Sequence, residues 1–450
     1  MTDNKEGLGG LNIPKDEAFS EGSDLFENPP VQLDYIGGST QIFYPITGVE
    51  SDGPFEFNIT SDGKHYLALP QTRLYGIIQI LHKDGTTPGE NEPVGVVNLF
   101  PSSLFKHIEI EVNGKKVSDA TSSCYGIKSI IETQLSYGES AKKSHLKAAR
   151  YYDDDDGKGN IRDSTNKGWE IRHELVKQGK KVDFDTILHC DFFQIYRYLP
   201  NGCSIRLKLV RNDDSFTLLN GDVTGNNATT KEYKINILDL RISVRKVLLH
   251  KRLFNINESL FLKGYQAVFP IVRTQIKTLV ITKGLSSIIE ANVIMGQLPR
   301  SVILCFVSNK AFNGNAKLNP YYFDHFNLKS ASLRVAGERV PDSGYHMDFD
   351  NNLFVTPYRA LFDSTGYSHG NGGNVISMKA FSQGNTFLAF DLTPDLCNGW
   401  HLHEERNGTI DIELSFKEEL DESINLIVYS TYDNQLLMDK DRNVSFGFPI

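Results

Sequence analysis

Residues 106–119 read KHIEIEVNGKKVSD, and residues 329–342 read KSASLRVAGERVPD. Each is an alternating, strand-like segment, a Gly-containing turn, a charged two-residue step and then a valine. In the first, Ile108, Ile110 and Val112 alternate with polar residues, so they share one face of a half-buried strand. Asn113-Gly114 follows, the favoured pair for a two-residue hairpin turn because both positions take positive φ. The recurrence continues downstream in the same order. NGCSIRLKL at 201–209 is answered by NGTIDIELSF at 407–416, and YKINILDLRISV at 233–244 by INLIVYSTY at 424–432. The intervals differ, which excludes a short-period solenoid. Chance similarity between short alternating strands is the competing explanation, and the shared order weighs against it.

Working outward, further strand-like runs are YGIIQIL, IKTLVI, ANVIMG, SVILCFV and TFLAFDL. Each half then holds about eight strands in two facing sheets that bury their apolar sides against each other. The fold class is all-β, a double jelly roll: two tandem eight-stranded β-sandwiches with helical and loop insertions. Residues 1–28, polar and rich in Gly, Asp, Glu and Ser, read as a flexible arm. The first jelly roll is placed at 29–245 and the second at 246–450. The clearest helix is CYGIKSIIETQL at 124–135, where Ile127, Ile130, Ile131 and Leu135 fall on one face. ESAKKSHLKAARYY at 139–152 is expected to continue as a second helix. LFVTPYRALFDSTGYSHGNGGN at 353–374 reads as a short helix with a Gly-rich tail.

A chain of 450 residues is too long for one ordinary core. Its 27 Phe and 19 Tyr against 2 Trp suit β-rich packing. The net charge of −9 argues against wrapping duplex DNA, which needs a positive patch. Cys124, Cys190, Cys203, Cys305 and Cys397 are scattered and form no CxxC pair, so neither a zinc knuckle nor a disulfide framework is indicated. The polar start is unlike a signal peptide, and no run reaches the ~20 apolar residues of a membrane span. A reducing compartment is expected, with the sequons at Asn58 and Asn407 unused.

The search for chemistry yields no catalytic, cofactor-binding or metal residue, and no cofactor is expected. GxSxG, HExxH, phosphate-loop and Rossmann patterns are absent. Asp153, Asp154, Asp155 and Asp156 lack EF-hand spacing and read as a solvated loop tip past a helix end, ahead of a cation site. In WHLHEE at 400–405, His401 and His403 share a face if the segment is a strand, and Glu405 would be a third zinc ligand. A polar loop or interface is the preferred reading there. His346, Asp348 and Asp350 read as an exposed strand face. His107, His189 and His325 read as partly buried histidines with satisfied hydrogen bonds. Cys124 starts a helix, where a thiol pKa can fall. Phe312, Tyr321, Tyr322, Phe323 and Phe326 crowd one loop region and suit either a protein contact or a loop folded onto its own domain.

Several long blocks resemble one family. IGGSTQIFYPITGV (36–49), VNLFPSSLFKHIEIEVNGKKVSD (97–119), GQLPRSVILCFVSNKAFNGN (296–315), NPYYFDHFNL (319–328) and VTPYRALFDSTG (355–366) are similar to the major capsid protein of Polinton (Maverick) elements and adintoviruses. The resemblance spans about residues 30 to 445. It implies a non-enzymatic double jelly roll that forms homotrimers of pseudo-hexameric outline. Neighbouring capsomers would tile an icosahedral shell, with penton and minor capsid proteins as further partners. The shell would enclose double-stranded DNA without sequence-specific binding, and the protein would reside in the virion after assembly inside the host cell. The arm at 1–28 would line the shell or bridge neighbours. A jelly-roll receptor- or carbohydrate-binding module is the alternative, and a metal enzyme built on His401 and His403 a third.

Overall fold

The computed structural model describes residues 31–49, 53–90, 92–118, 124–220, 232–368, 373–396 and 401–447. The arm expected at 1–28 lies outside them. In the first half, beside a short pair of Val94–Val96 with Leu218–Asn220, the sandwich strands are β1 (Tyr35–Phe43), β2 (Phe55–Ile59), β3 (Tyr66–His82), β4 (Phe105–Val112), β5 (Lys115–Lys116), β6 (Lys181–Ile187), β7 (Ile205–Arg211) and β8 (Tyr233–Leu249). They form two antiparallel sheets, β1-β8-β3-β6 and β2-β7-β4-β5. In the second half the strands are β9 (Ala267–Ile281), β10 (Ser287–Gln297), β11 (Ser301–Ser308), β12 (Leu328–Val335), β13 (Glu338–His346), β14 (Leu388–Asp391), β15 (Asn407–Phe416) and β16 (Ile424–Met438). Their sheets are β9-β16-β11-β14 and β10-β15-β12-β13, with Val444–Phe446 added beside β16. Adding eight to each label of the first half reproduces the order of the second. The two halves are the same jelly roll, and the double jelly roll is the fold.

The recurrent segments occupy equivalent places. The 106–119 and 329–342 segments are the β4–β5 and β12–β13 hairpins; 201–209 and 407–416 carry β7 and β15; 233–244 and 424–432 lie in β8 and β16. Both hairpins close through two residues of positive φ, Asn113 (48°) with Gly114 (79°), and Ala336 (48°) with Gly337 (91°). Alternation becomes burial as expected: Ile205, Leu207 and Leu209 are fully buried on β7, while Arg206 is exposed. Rings join the facing sheets of the second half, as in the edge-on pair Phe306–Phe416 with centroids 6.1 Å apart.

Strand β16 departs from alternation and is buried almost throughout. One of its faces meets the sandwich core. The other, with Tyr429, Thr431 and Asp433, lines the seam with the first half. In the first half, helix α1 (Tyr125–Ser136) buries Ile127, Ile130, Ile131 and Leu135 as the sequence pattern requires. The expected helix at 139–152 is cut short. Only Glu139–Lys143 and a 3-10 turn at His145–Lys147 form. Arg150 takes a positive φ of 59°, which turns the chain so that Tyr151 is fully buried. Helix α2 (Lys167–Val176) packs on the first half, and α3 (Lys251–Leu262) links the halves. Strand β8 runs on to Leu249, past the expected division at 245, because its last residues still pair with β1 and β3. Helix α4 (Val355–Ser364) forms where the 353–374 segment suggested one.

Candidate functional site

The aspartate run is only partly solvated: Asp153 and Asp156 are exposed, while Asp154 is drawn inward. Its carboxylates turn to different partners. Asp153 accepts from the Tyr151 hydroxyl, and Asp154 from the buried Arg172 guanidinium at 2.6 Å and from Asn166 at 2.9 Å. Asp155 accepts from the Lys167 backbone N–H at 3.3 Å, and Asp156 from Ser377 Oγ of the second half at 3.1 Å. Arg172 also donates to the Val96 and Tyr152 carbonyls. Asn166, itself fully buried, caps α2. A buried guanidinium requires a counter-charge and full hydrogen bonding, and the run supplies it. Sequence reading missed Arg172; the available signal was a cation inside a helix beside Trp169.

The other candidates scatter. Burial pushes the Cys124 thiol up to about 11, against the expected fall. His189 Nδ1 lies 2.8 Å from Glu132, and His325 stacks on Phe349 and accepts from the Asn327 N–H. His107 differs from expectation, since its buried Nδ1 has no partner among the described residues. His346 contacts the Ser343 carbonyl, whereas Asp348 and Asp350 face Lys417, so the three do not converge. Residues 401–406 are not a strand, and Glu405 does not join His401 and His403. Asp395, from the loop after β14, takes that place: its carboxylate oxygens lie 3.0 Å from Nε2 of each histidine.

The seam between the halves is polar. Lys128 of α1 pairs with Asp191 and, at 3.5 Å, with Glu132. Asp191 also accepts from the Thr274 backbone N–H of β9 at 2.6 Å. Burial opposes the charge on Lys128, but Asp191 and Glu132 outweigh it and hold the ammonium well above its usual range. At the far end Arg442 bonds Asn201 and Glu258 and lies over the Phe261 ring, pinning α3. In the aromatic loop Phe323 is buried and Tyr321 packs edge-on against Phe216 of the first half. That loop folds onto its own molecule. A groove of about 450 Å³ remains along the seam, with Tyr196, Arg300 and His401 in its walls.

The perimeter is different. β1 is an edge strand whose residues are almost all exposed. Val31, Leu33, Ile36, Ile42, Tyr44 and Ile46 make this margin apolar, with exposures from 47 % to 73 %. Such an edge is normally blunted or covered.

The structure matches viral major capsid proteins. It superposes on a chain of the Sputnik virophage structure with a TM-score of 0.63 at 10 % identity, covering 98 % of this chain and 94 % of that one. The mavirus major capsid protein gives 0.57 at 11 % identity, covering 97 % and 95 %. In sequence the chain is 25 % identical over 405 residues to the uncharacterized protein F54H12.2 of Caenorhabditis elegans, covering 88 % of this chain and 93 % of that one. No protein-family model matches.

Proposed function

We propose that this protein is a major capsid protein of the Polinton, Maverick and adintovirus lineage. Three copies, each with two like sandwiches divided near residue 245, would form a pseudo-hexameric block. Such a block packs in nearly hexagonal layers while using only threefold symmetry. The blocks would tile an icosahedral shell around double-stranded DNA, closed by penton and minor capsid proteins, with the virion as the protein's location. The observation that carries this reading is a doubled sandwich with a polar seam and an apolar outer edge. Its polar ties fix the two halves as one rigid unit, and the uncovered β1 margin suits a neighbour. The net charge of −9 is compatible with enclosing DNA without gripping it. The test is light scattering with negative-stain imaging of the purified full chain. Particles of three times the chain mass with a hexagonal outline are expected. A strictly monomeric species at every concentration would overturn the reading.

A further inference from the structure

His403 is held at both ring nitrogens by carboxylates. Nδ1 lies 2.7 Å from Asp433 and Nε2 lies 3.0 Å from Asp395. A neutral imidazole has one N–H, so it can donate to only one of them. The second contact requires either an extra proton or a cation between nitrogen and oxygen. His401 repeats the demand, with Nε2 3.0 Å from the other Asp395 oxygen. One cation among the three groups would satisfy all of these contacts. Asp433 is 7 % exposed on its side chain, and Arg300 holds its other oxygen at 3.1 Å. The carboxylate is thus fixed to orient His403 through Nδ1, leaving Nε2 as the ligand atom. A carboxylate behind a metal-binding histidine is the usual outer support of zinc sites.

We propose that Asp395, His401 and His403 bind one divalent transition-metal ion of the zinc class. The ligating atoms lie within 4.8 Å of one another. Ligands about 2.0–2.2 Å from one ion are separated by roughly 3.3 Å in a tetrahedron, so small side-chain shifts admit the ion. Two imidazoles and one carboxylate favour zinc over calcium or magnesium, which take all-oxygen sets. These three are the ligands among the described residues. The ion would close the loop between β14 and β15 on itself, next to the seam groove that His401 lines. This site does not depend on the capsid reading.

The test uses tag-free full-length protein dialysed against zinc, with metal content measured by mass spectrometry and cobalt titrations followed by visible absorption. One zinc per chain is expected, with an intense tetrahedral cobalt spectrum. His401→Ala removes a half-exposed ligand without touching the core; it should lower affinity at least about 100-fold while the melting curve without metal stays unchanged. Asp433→Asn should weaken binding by about 10–100-fold through the orientation of His403. His346→Ala, remote from the cluster, should bind as the parent does. Parent protein that retains no zinc, or zinc retained equally by His401→Ala, would overturn the site and leave imidazolium–carboxylate pairs alone.

Discussion

Arg172 shows how one buried charge organises a stretch that reads as surface. It is 1 % exposed, and Asp154 is its only carboxylate ion-pair partner among the described residues. Removing one member of such a pair leaves the other desolvated and uncompensated, a loss of about 3–5 kcal/mol. Asp154→Ala should therefore lower unfolding stability by about that amount in denaturant titrations. Asp153→Ala should cost far less, because it loses one hydrogen bond to Tyr151. A second residue-scale prediction concerns the paired turns. Ala336 holds a φ of 48° that Asn113 holds in the equivalent hairpin. A side chain with Cβ is strained there, and Asn tolerates the conformation better. Ala336→Asn, at an exposed position, should stabilise the protein by about 0.5–1 kcal/mol, read as a rise in Tm. A lowered Tm would show that the turn is not under strain.

At the scale of elements, α1 brings Lys128 and Glu132 to the seam, and its acid sensitivity follows from Glu132. Burial pushes this carboxyl up, but Lys128 and the hydrogen bond from His189 outweigh burial and hold it below its ordinary value of 4.5. A folded-state value below the unfolded one means that the stabilisation is whole above about 4.5. It is lost as pH falls through the folded value. Thermal stability should thus decline as the pH drops below about 4.5, and Glu132→Gln should flatten that decline. The same variant should cost about 1–3 kcal/mol at neutral pH, because the buried His189 and Lys128 each lose a partner. An unchanged acid limb in Glu132→Gln would remove Glu132 from the account. The burial of β16 on both faces has its cause here too: the face that most strands of an antiparallel sheet give to water lies instead along the seam, where Tyr429, Thr431 and Asp433 line the groove.

At the scale of the molecule, the proposed assembly places a demand on β1. Its apolar side chains gain nothing in an isolated chain, so substituting them should leave folding intact and weaken association. Ile36→Lys with Ile42→Lys should keep the Tm within about 1 °C, since exposed substitutions usually stay within ±0.5 kcal/mol. The same double variant should shift the light-scattering mass toward the single chain. Retained particles of full size would free β1 from any role in the contact.

Period-two alternation, the Asn-Gly turn and the ordered recurrence of three segments determine the doubled sandwich, because each is a local pattern that a strand or hairpin must satisfy wherever it lies. The apolar face of α1 is determined in the same way. What surrounds these elements is not local. Arg172 meets Asp154 across 18 residues, Asp191 meets Thr274 across 83, and His403 meets Asp433 of β16 across 30. Burial of a charge and convergence of ligands depend on which distant surfaces come together. Tertiary packing therefore decided that Asp154 anchors Arg172, that burial raises the Cys124 thiol, and that Asp433 stands behind His403.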